Sequence, residues 1–294
     1  MTQSINESIK LVGIVGAGTM GRGITQTLLR NGYAVILADS SEAALTAARA
    51  SVHRGLIRDA EKSRLTAVTA EQALARLSAS SQIESLASAG FVIEAVSEKF
   101  EIKAELFRRL EACCPSEVIF TTNTSSISVT RLAAVTRRPA RFAGLHFFNP
   151  VPVMALVEVV AGADTAPETL EKASALAESL GKTPVRVNDF PGFVSNRVLM
   201  PMINEAVYTV MEGVAAPEAV DRVMKLGMNH PMGPLALADL IGLDVCLDVM
   251  KVLYEGFHDS KYRPCPLLEK MVYAGRTGKK AGKGFYEYPG KSGP

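Results

Sequence analysis

Through the first two-thirds of the chain, short apolar runs alternate with longer stretches of helical spacing. Leu11–Val15, Tyr33–Ala38, Phe91–Val96, Val118–Thr122, Phe142–Phe148, Leu156–Val160 and Pro184–Val187 have the length and apolar content of strands buried on both faces. Between them, helical patterns start at Arg22 and cover Ser41–Arg64, Ala70–Leu77, Lys103–Cys113 and Pro167–Leu180, the last stopped by Gly181. This alternation predicts an α/β domain built on a doubly wound, mostly parallel sheet.

The pattern changes at Asn188-Asp189-Phe190-Pro191-Gly192. Beyond it only helical spacing remains, over Val194–Met211, Pro217–Leu226, Leu243–Leu253 and Pro266–Val272, with Pro217, Pro231, Pro234 and Pro266 near helix starts. The expected organisation is residues 1–187 as the α/β domain and residues 188–294 as an all-helical C-terminal domain. Apolar spacing over Val194–Val210 is long for a small domain to bury alone, which points to a homodimer formed through the helical domains.

Bulk properties narrow the function classes. A net charge of +2 gives no sign of a nucleic-acid surface, and the basic stretch Arg49–Arg58 reads first as a solvated helix face. Cys113, Cys114, Cys246 and Cys265 lack the spacing of a metal site or a disulfide framework, so no bound metal is expected. Met1–Lys10 has no apolar core of a signal peptide, and no apolar run reaches the roughly 18 residues of a membrane span. A cytoplasmic protein with reduced thiols, away from membranes, is expected.

The first strand runs into Gly16-Ala17-Gly18-Thr19-Met20-Gly21. In this order Gly16 permits a tight turn, Gly18 leaves room for a pyrophosphate, and Gly21 lets the helix approach the sheet. The N–H groups around Thr19 and Met20 open the helix toward the phosphates. The second strand ends at Asp39, 21 residues beyond Gly18, where a carboxylate takes a ribose 2′-hydroxyl and repels a 2′-phosphate. A Rossmann-like NAD site is the reading, with NAD favoured over NADP.

Oxidising an alcohol also requires a base for the hydroxyl proton. His53 and His258 fall in charged helical stretches and His230 in a turn, whereas His146 ends an apolar strand, where open sheets bind ligands. Glu158 interrupts another apolar strand and needs a partner, either the imidazole of His146 or a buried arginine. Ser125, after the strand ending at Thr122, either binds a substrate oxygen or caps the next helix. Asn196 lies in the first turns of the helix entering the second domain, facing either a cleft or solvent.

The glycine turn with Asp39, Asn123-Thr124-Ser125-Ser126, His146-Phe147-Phe148-Asn149-Pro150, Glu158 and Pro191-Gly192-Phe193-Val194-Ser195-Asn196-Arg197 together resemble the 3-hydroxyacyl-CoA dehydrogenases. Asn229-His230-Pro231-Met232-Gly233-Pro234 and Gly282-Lys283-Gly284-Phe285-Tyr286 extend the resemblance, which runs from about Lys10 to Tyr288 and is nearest the stand-alone bacterial 3-hydroxybutyryl-CoA dehydrogenases. The resemblance implies reversible, NAD-dependent oxidation of a short-chain (S)-3-hydroxyacyl-CoA. It assigns His146 as general base, Glu158 as its orienting partner, and Ser125 and Asn196 to the reacting oxygen or thioester carbonyl. Glu98, Lys103 and Asn123 are implied on the cofactor side. The CoA phosphates would fall to basic residues after the second strand. Arg49, Arg54 and Arg58 stand there, Arg54 being taken as the substrate contact, while Leu56 and Ile57 occupy places where a lysine is expected. Two other readings share the architecture: a dehydrogenase of a free hydroxy or sugar acid such as L-gulonate, and a catalytically silent NAD-binding structural protein.

Overall fold

The structure is a computed structural model that describes residues 10–65 and 68–288. Residues 1–9, read above as free of a signal peptide, lie outside the described residues. The chain divides into two compact units, Met1–Phe190 and Pro191–Pro294.

The first unit follows the predicted alternation. In order it contains β1 (Leu11–Val15), α1 (Thr19–Arg30), β2 (Ala34–Ala38), α2 (Glu42–Glu61), α3 (Ala70–Leu74), β3 (Leu77–Ser80), β4 (Phe91–Glu94), α4 (Phe100–Cys113), β5 (Ile119–Thr122), α5 (Val129–Ala133), β6 (Phe142–Phe147), β7 (Leu156–Ala161), α6 (Pro167–Ser179) and β8 (Thr183–Asn188). The strands form one eight-stranded sheet in the order β3-β2-β1-β4-β5-β6-β7-β8. All neighbours pair in parallel except β6 and β7. Val12, Ile14, Val35, Leu37, Phe91 and Ile93 are buried in its core, as both-face burial of central strands requires. The carboxyl ends of β1, β4, β5 and β6 share one edge of the sheet, where the glycine turn, Asn123, Ser125 and His146 lie, whereas Arg54 is within α2.

Three predicted elements differ, the first being α1, which begins at Thr19 and not at Arg22. The helix expected over Ala70–Leu77 stops at Leu74, and Leu77–Ser80 is the edge strand β3. Its Leu-Ser-Ala-Ser sequence buries Leu77 alone and carries no apolar run to announce a strand. Helix α4 begins at Phe100, three residues before Lys103.

The second unit is helical: α7 (Ser195–Met211), α8 (Pro217–Gly227), α9 (Pro234–Ile241), α10 (Leu243–Phe257) and α11 (Pro266–Tyr273). Pro217, Pro234 and Pro266 each open a helix, where the missing N–H would be unsatisfied anyway. His258 lies just past α10 in a left-handed conformation rather than within a helix. Asp221 and Asp239 are buried and anchor the C-terminal turn. Asp221 accepts from the N–H groups of Leu235 and Ala236 and the Tyr286 hydroxyl. Asp239 accepts from the N–H groups of Phe285 and Tyr286 and the Tyr288 hydroxyl. No helix of the described residues is long and apolar enough to cross a membrane.

Candidate active site

At the end of β1 the backbone turns at Gly16 with φ +106°, a conformation that L side chains rarely adopt. A Cβ on Gly21 would overlap the Gly16 carbonyl oxygen, so the third glycine is what lets α1 start directly above the turn. Gly18 meets nothing: no heavy atom lies within 4 Å of a Cβ built there. It is the N-cap of α1, has no side-chain cap, and is followed by a first turn without acidic residues. Free N–H groups therefore face open space, the arrangement that receives a pyrophosphate. Asp39 stands beside the turn, its Oδ2 accepting from Ala17 N at 2.7 Å and its Oδ1 from Ser41 N at 2.9 Å. A cavity of about 480 Å³ opens next to it, lined by Gly16, Asp39 and Ser40 and by Ile102, Leu106 and Arg109 of α4. That α4 face was not singled out from sequence, although an apolar pair at i, i+4 on a helix after a strand is a readable signal.

His146 and Glu158 sit directly opposite each other in the antiparallel pair β6–β7. Side chains at opposed positions share a face of the sheet at close range. The imidazole Nδ1 lies 2.8 Å from Glu158 Oε2, with both residues buried. A carboxylate on Nδ1 orients the imidazole ring. The Phe148 ring packs 4.5 Å from the imidazole, centroid to centroid.

The Asn123–Ser126 turn follows β5 at the same edge. Asn123 Oδ1 accepts from Phe147 N at 2.9 Å, tying the turn to the strand that carries His146. Glu98 gathers the rest. Its Oε1 accepts from Thr124 Oγ1 at 2.5 Å, Ser125 N at 2.8 Å, Ser126 N at 3.2 Å, and more loosely from the hydroxyls of Ser125 and Ser126. The helix after this turn is capped by Ser128 and Asp189, so Ser125 is not its cap.

Lys103, which the resemblance implied on the cofactor side, has no exposed surface. Its ammonium pairs with Glu94 at 2.6 Å and with Glu98 at 3.3 Å. Burial pushes the Glu94 carboxyl above its ordinary value, against the pull of Lys103, Thr122 and Val96 N–H. Burial acts the same way on Glu98, but the Lys103 charge and the Thr124 and Ser125 hydrogen bonds outweigh it and hold that carboxyl below its ordinary value. Glu94 escaped sequence reading although it gives the same signal as Glu158, an acid in an apolar strand.

A second cavity of about 480 Å³ is cationic, lined by Arg22, Arg58, Lys62 and Arg64 opposite the Asn149–Val153 segment. Arg54 does not line it, and Arg49 points to β3, donating to the Leu77 carbonyl at 3.1 Å. Of Arg49, Arg54 and Arg58, this cavity is lined only by Arg58. Lys62 and Arg64 are found beyond it, one turn further along and past the end of α2.

In the second unit Asn196 is the second residue of α7, its side chain half-buried. Its N–H donates to the Gly192 carbonyl at 3.1 Å, closing the turn in which Gly192 (φ +74°) and Phe193 (φ +50°) are left-handed.

Comparison with known proteins accounts for both units. Residues 11–190 match the NAD binding domain of 3-hydroxyacyl-CoA dehydrogenase, and residues 192–288 match its C-terminal domain. The chain is 55% identical over 284 residues to a probable 3-hydroxybutyryl-CoA dehydrogenase of Bacillus subtilis, spanning 97% of this chain and 99% of that one. It is 49% identical over 282 residues to the 3-hydroxybutyryl-CoA dehydrogenase of Bradyrhizobium diazoefficiens, spanning 96% of each. Among solved structures, the (S)-3-hydroxybutyryl-CoA dehydrogenase of Ralstonia eutropha superposes with a TM-score of 0.92 at 50% identity, covering 96% of this chain and 99% of that one. Its first unit binds NAD, and the chain belongs to the 3-hydroxyacyl-CoA dehydrogenase family.

Proposed function

We propose that the protein interconverts (S)-3-hydroxybutyryl-CoA and acetoacetyl-CoA with NAD, using His146 and Glu158 as a proton-transfer dyad. The observation that carries this is the 2.8 Å contact between His146 Nδ1 and Glu158 Oε2, at the strand edge that also bears the glycine turn. The names of relatives at 49–55% identity support the substrate. The open space at Gly18, the uncapped start of α1 and the Asp39 carboxylate fit a dinucleotide. NAD, when bound, supplies the hydride acceptor for C3 of the substrate. His146 Nε2 takes the hydroxyl proton, and Glu158 holds the ring by Nδ1 and stabilises the imidazolium that results. In reduction the same nitrogen returns the proton. Ser125 Oγ donates to the reacting oxygen or the thioester carbonyl, and for Asn196 the substrate-binding role is the one the family resemblance implies. Arg22, Arg58, Lys62 and Arg64 hold the CoA phosphates, the role that sequence had given to Arg54.

Steady-state kinetics with 3-oxoacyl-CoA substrates from C4 to C10, each with NADH and NADPH, tests this. The expected result is the highest kcat/KM at C4 and with NADH, because Asp39 repels a 2′-phosphate. Equal turnover of free acetoacetate would overturn the acyl-CoA assignment in favour of a free-acid dehydrogenase.

The protein is further proposed to be a cytoplasmic homodimer joined through its helical units. The sequence argument rested on Val194–Val210, but Met200, Ile203 and Val207 from that helix are absorbed by the unit's own core. Apolar surface remains exposed at Val194 and Val198 of that segment, and on α8 and just after it Val223, Leu226 and Met228 are 61%, 80% and 60% exposed. Light scattering at micromolar concentration is expected to give twice the chain mass of 31.4 kDa. A clean monomer would refute the pairing.

A further inference from the structure

Lys182 lies in the turn between α6 and β8, in the first unit. It is 7% exposed. Its ammonium donates to the Val151 carbonyl at 2.5 Å and to the Met154 carbonyl at 2.7 Å. Among the described residues no carboxylate lies within 4.0 Å of it. Both acceptors belong to the connection that joins β6, the strand of His146, to β7, the strand of Glu158. The same connection supplies Asn149–Val153 as one wall of the cationic cavity. A second cation holds it from α1, where Arg30 donates to the Pro152 carbonyl at 3.3 Å and pairs with Asp59 at 3.5 Å.

Three carbonyls in four consecutive residues are thus fixed by two cations from separate elements. Burying an ammonium against carbonyls alone is an expensive way to hold a loop, since an apolar side chain of similar length packs without the desolvation penalty. What the ammonium adds is a defined path for the carbonyls and a positive charge behind a wall that faces anions.

We propose that Lys182 is a positioning residue for the acyl-CoA arm, fixing the Val151–Met154 carbonyls and with them the wall of the cavity that receives the CoA phosphates. This rests on the phosphate reading of that cavity given above. The groups acting on Lys182 electrostatically are Arg30 from α1 and Asp59 from α2, and the Asn149–Ala155 connection has no titratable side chain. Burial pulls the ammonium down to about 8, with Arg30 acting in the same direction and Asp59 against it. The sign matters for the test. A lysine whose folded value lies below its unfolded one is penalised in its charged form. Its deprotonation from pH 8 upward therefore removes no folding stability. Weakened acyl-CoA binding in that range reports positioning and not unfolding.

The experiment is steady-state kinetics between pH 7 and 9.5 with (S)-3-hydroxybutyryl-CoA, which lacks the acidic C–H of a 3-oxoacyl-CoA. Wild type is compared with Lys182→Met and Lys182→Arg. Lys182→Met is expected to raise KM for the acyl-CoA about tenfold while KM for NAD stays within about twofold and kcat within about threefold. In the wild type, KM for the acyl-CoA rises above pH 8, and in Lys182→Arg, whose charge persists, it stays flat. An unchanged KM in Lys182→Met, or the same pH bend in Lys182→Arg, overturns the proposal. Should Lys182→Met not fold, the pH comparison of wild type with Lys182→Arg decides alone. A wild type that oxidises free 3-hydroxybutyrate as well as the CoA ester overturns the phosphate reading instead, so the two failures are distinct.

Discussion

His146→Gln is expected to lower kcat for reduction of acetoacetyl-CoA by NADH by about 10²–10⁴-fold, with KM for NADH nearly unchanged. Glutamine keeps the bulk of the imidazole and a donor toward Glu158 but cannot exchange a proton at neutral pH. The site stays assembled because the glycine turn and Asp39 belong to other strands, and Asn123 holds β6 through the Phe147 N–H rather than through His146. Loss should therefore fall on the chemical step, with kcat and kcat/KM for the acyl-CoA dropping together. Glu158→Gln is the companion variant. It leaves a hydrogen bond to Nδ1 but removes the charge that stabilises the imidazolium, so its kcat should lie between wild type and His146→Gln. Near-normal turnover by His146→Gln would end the dyad mechanism and leave the buried pair a structural contact between β6 and β7.

Which parts of this site were readable without coordinates follows from how each residue reports itself. Gly16, Gly18 and Gly21 announce the turn because backbone geometry tolerates nothing else at two of them and the third leaves open space. Glu158 is legible because an acid in an apolar strand needs a partner, either His146 or a buried cation, and that partner had to be found across the sheet. The register that brings it opposite His146 depends on β7 running against β6, which no local pattern encodes. The edge strand β3 was missed for a physical reason: its Ser-rich sequence buries a single residue and needs no apolar run. Charge along α2 does not show which turn faces the Asn149–Val153 segment, so sequence alone does not tell Arg49, Arg54 and Arg58 apart there. Lys182 carries no sequence signal, since a lysine before a strand is ordinarily a solvated end.

Lys103→Met is expected to destabilise the protein by about 3–5 kcal/mol, because it strands the Glu94 carboxylate in a site with no exposed surface. Thr122 Oγ1 at 2.6 Å and Val96 N at 2.7 Å remain as donors, but neither neutralises the charge. At about 2–4 °C per kcal/mol for a unit of this size, Tm should fall by roughly 6–20 °C. The pH dependence has a definite sign. Burial already raises the Glu94 carboxyl, and removing Lys103 removes the largest force opposing it. A carboxyl whose folded value lies above its unfolded one contributes stability below the unfolded value and loses it as pH rises through the folded value. The deficit of Lys103→Met relative to wild type should thus be greatest at neutral pH and shrink on acidification. Activity should suffer separately, since Lys103 also holds Glu98, and Glu98 accepts the Thr124, Ser125 and Ser126 donors that shape the turn beside His146. The double variant Glu94→Gln with Lys103→Met removes the stranded charge and should recover most of the lost stability, but not the lost kcat/KM. Urea unfolding of both variants between pH 5 and 8, alongside their kinetics, separates the two effects. A loss below about 1 kcal/mol in the single variant would show that the Lys103–Glu94 pair is worth no more than a solvated surface pair.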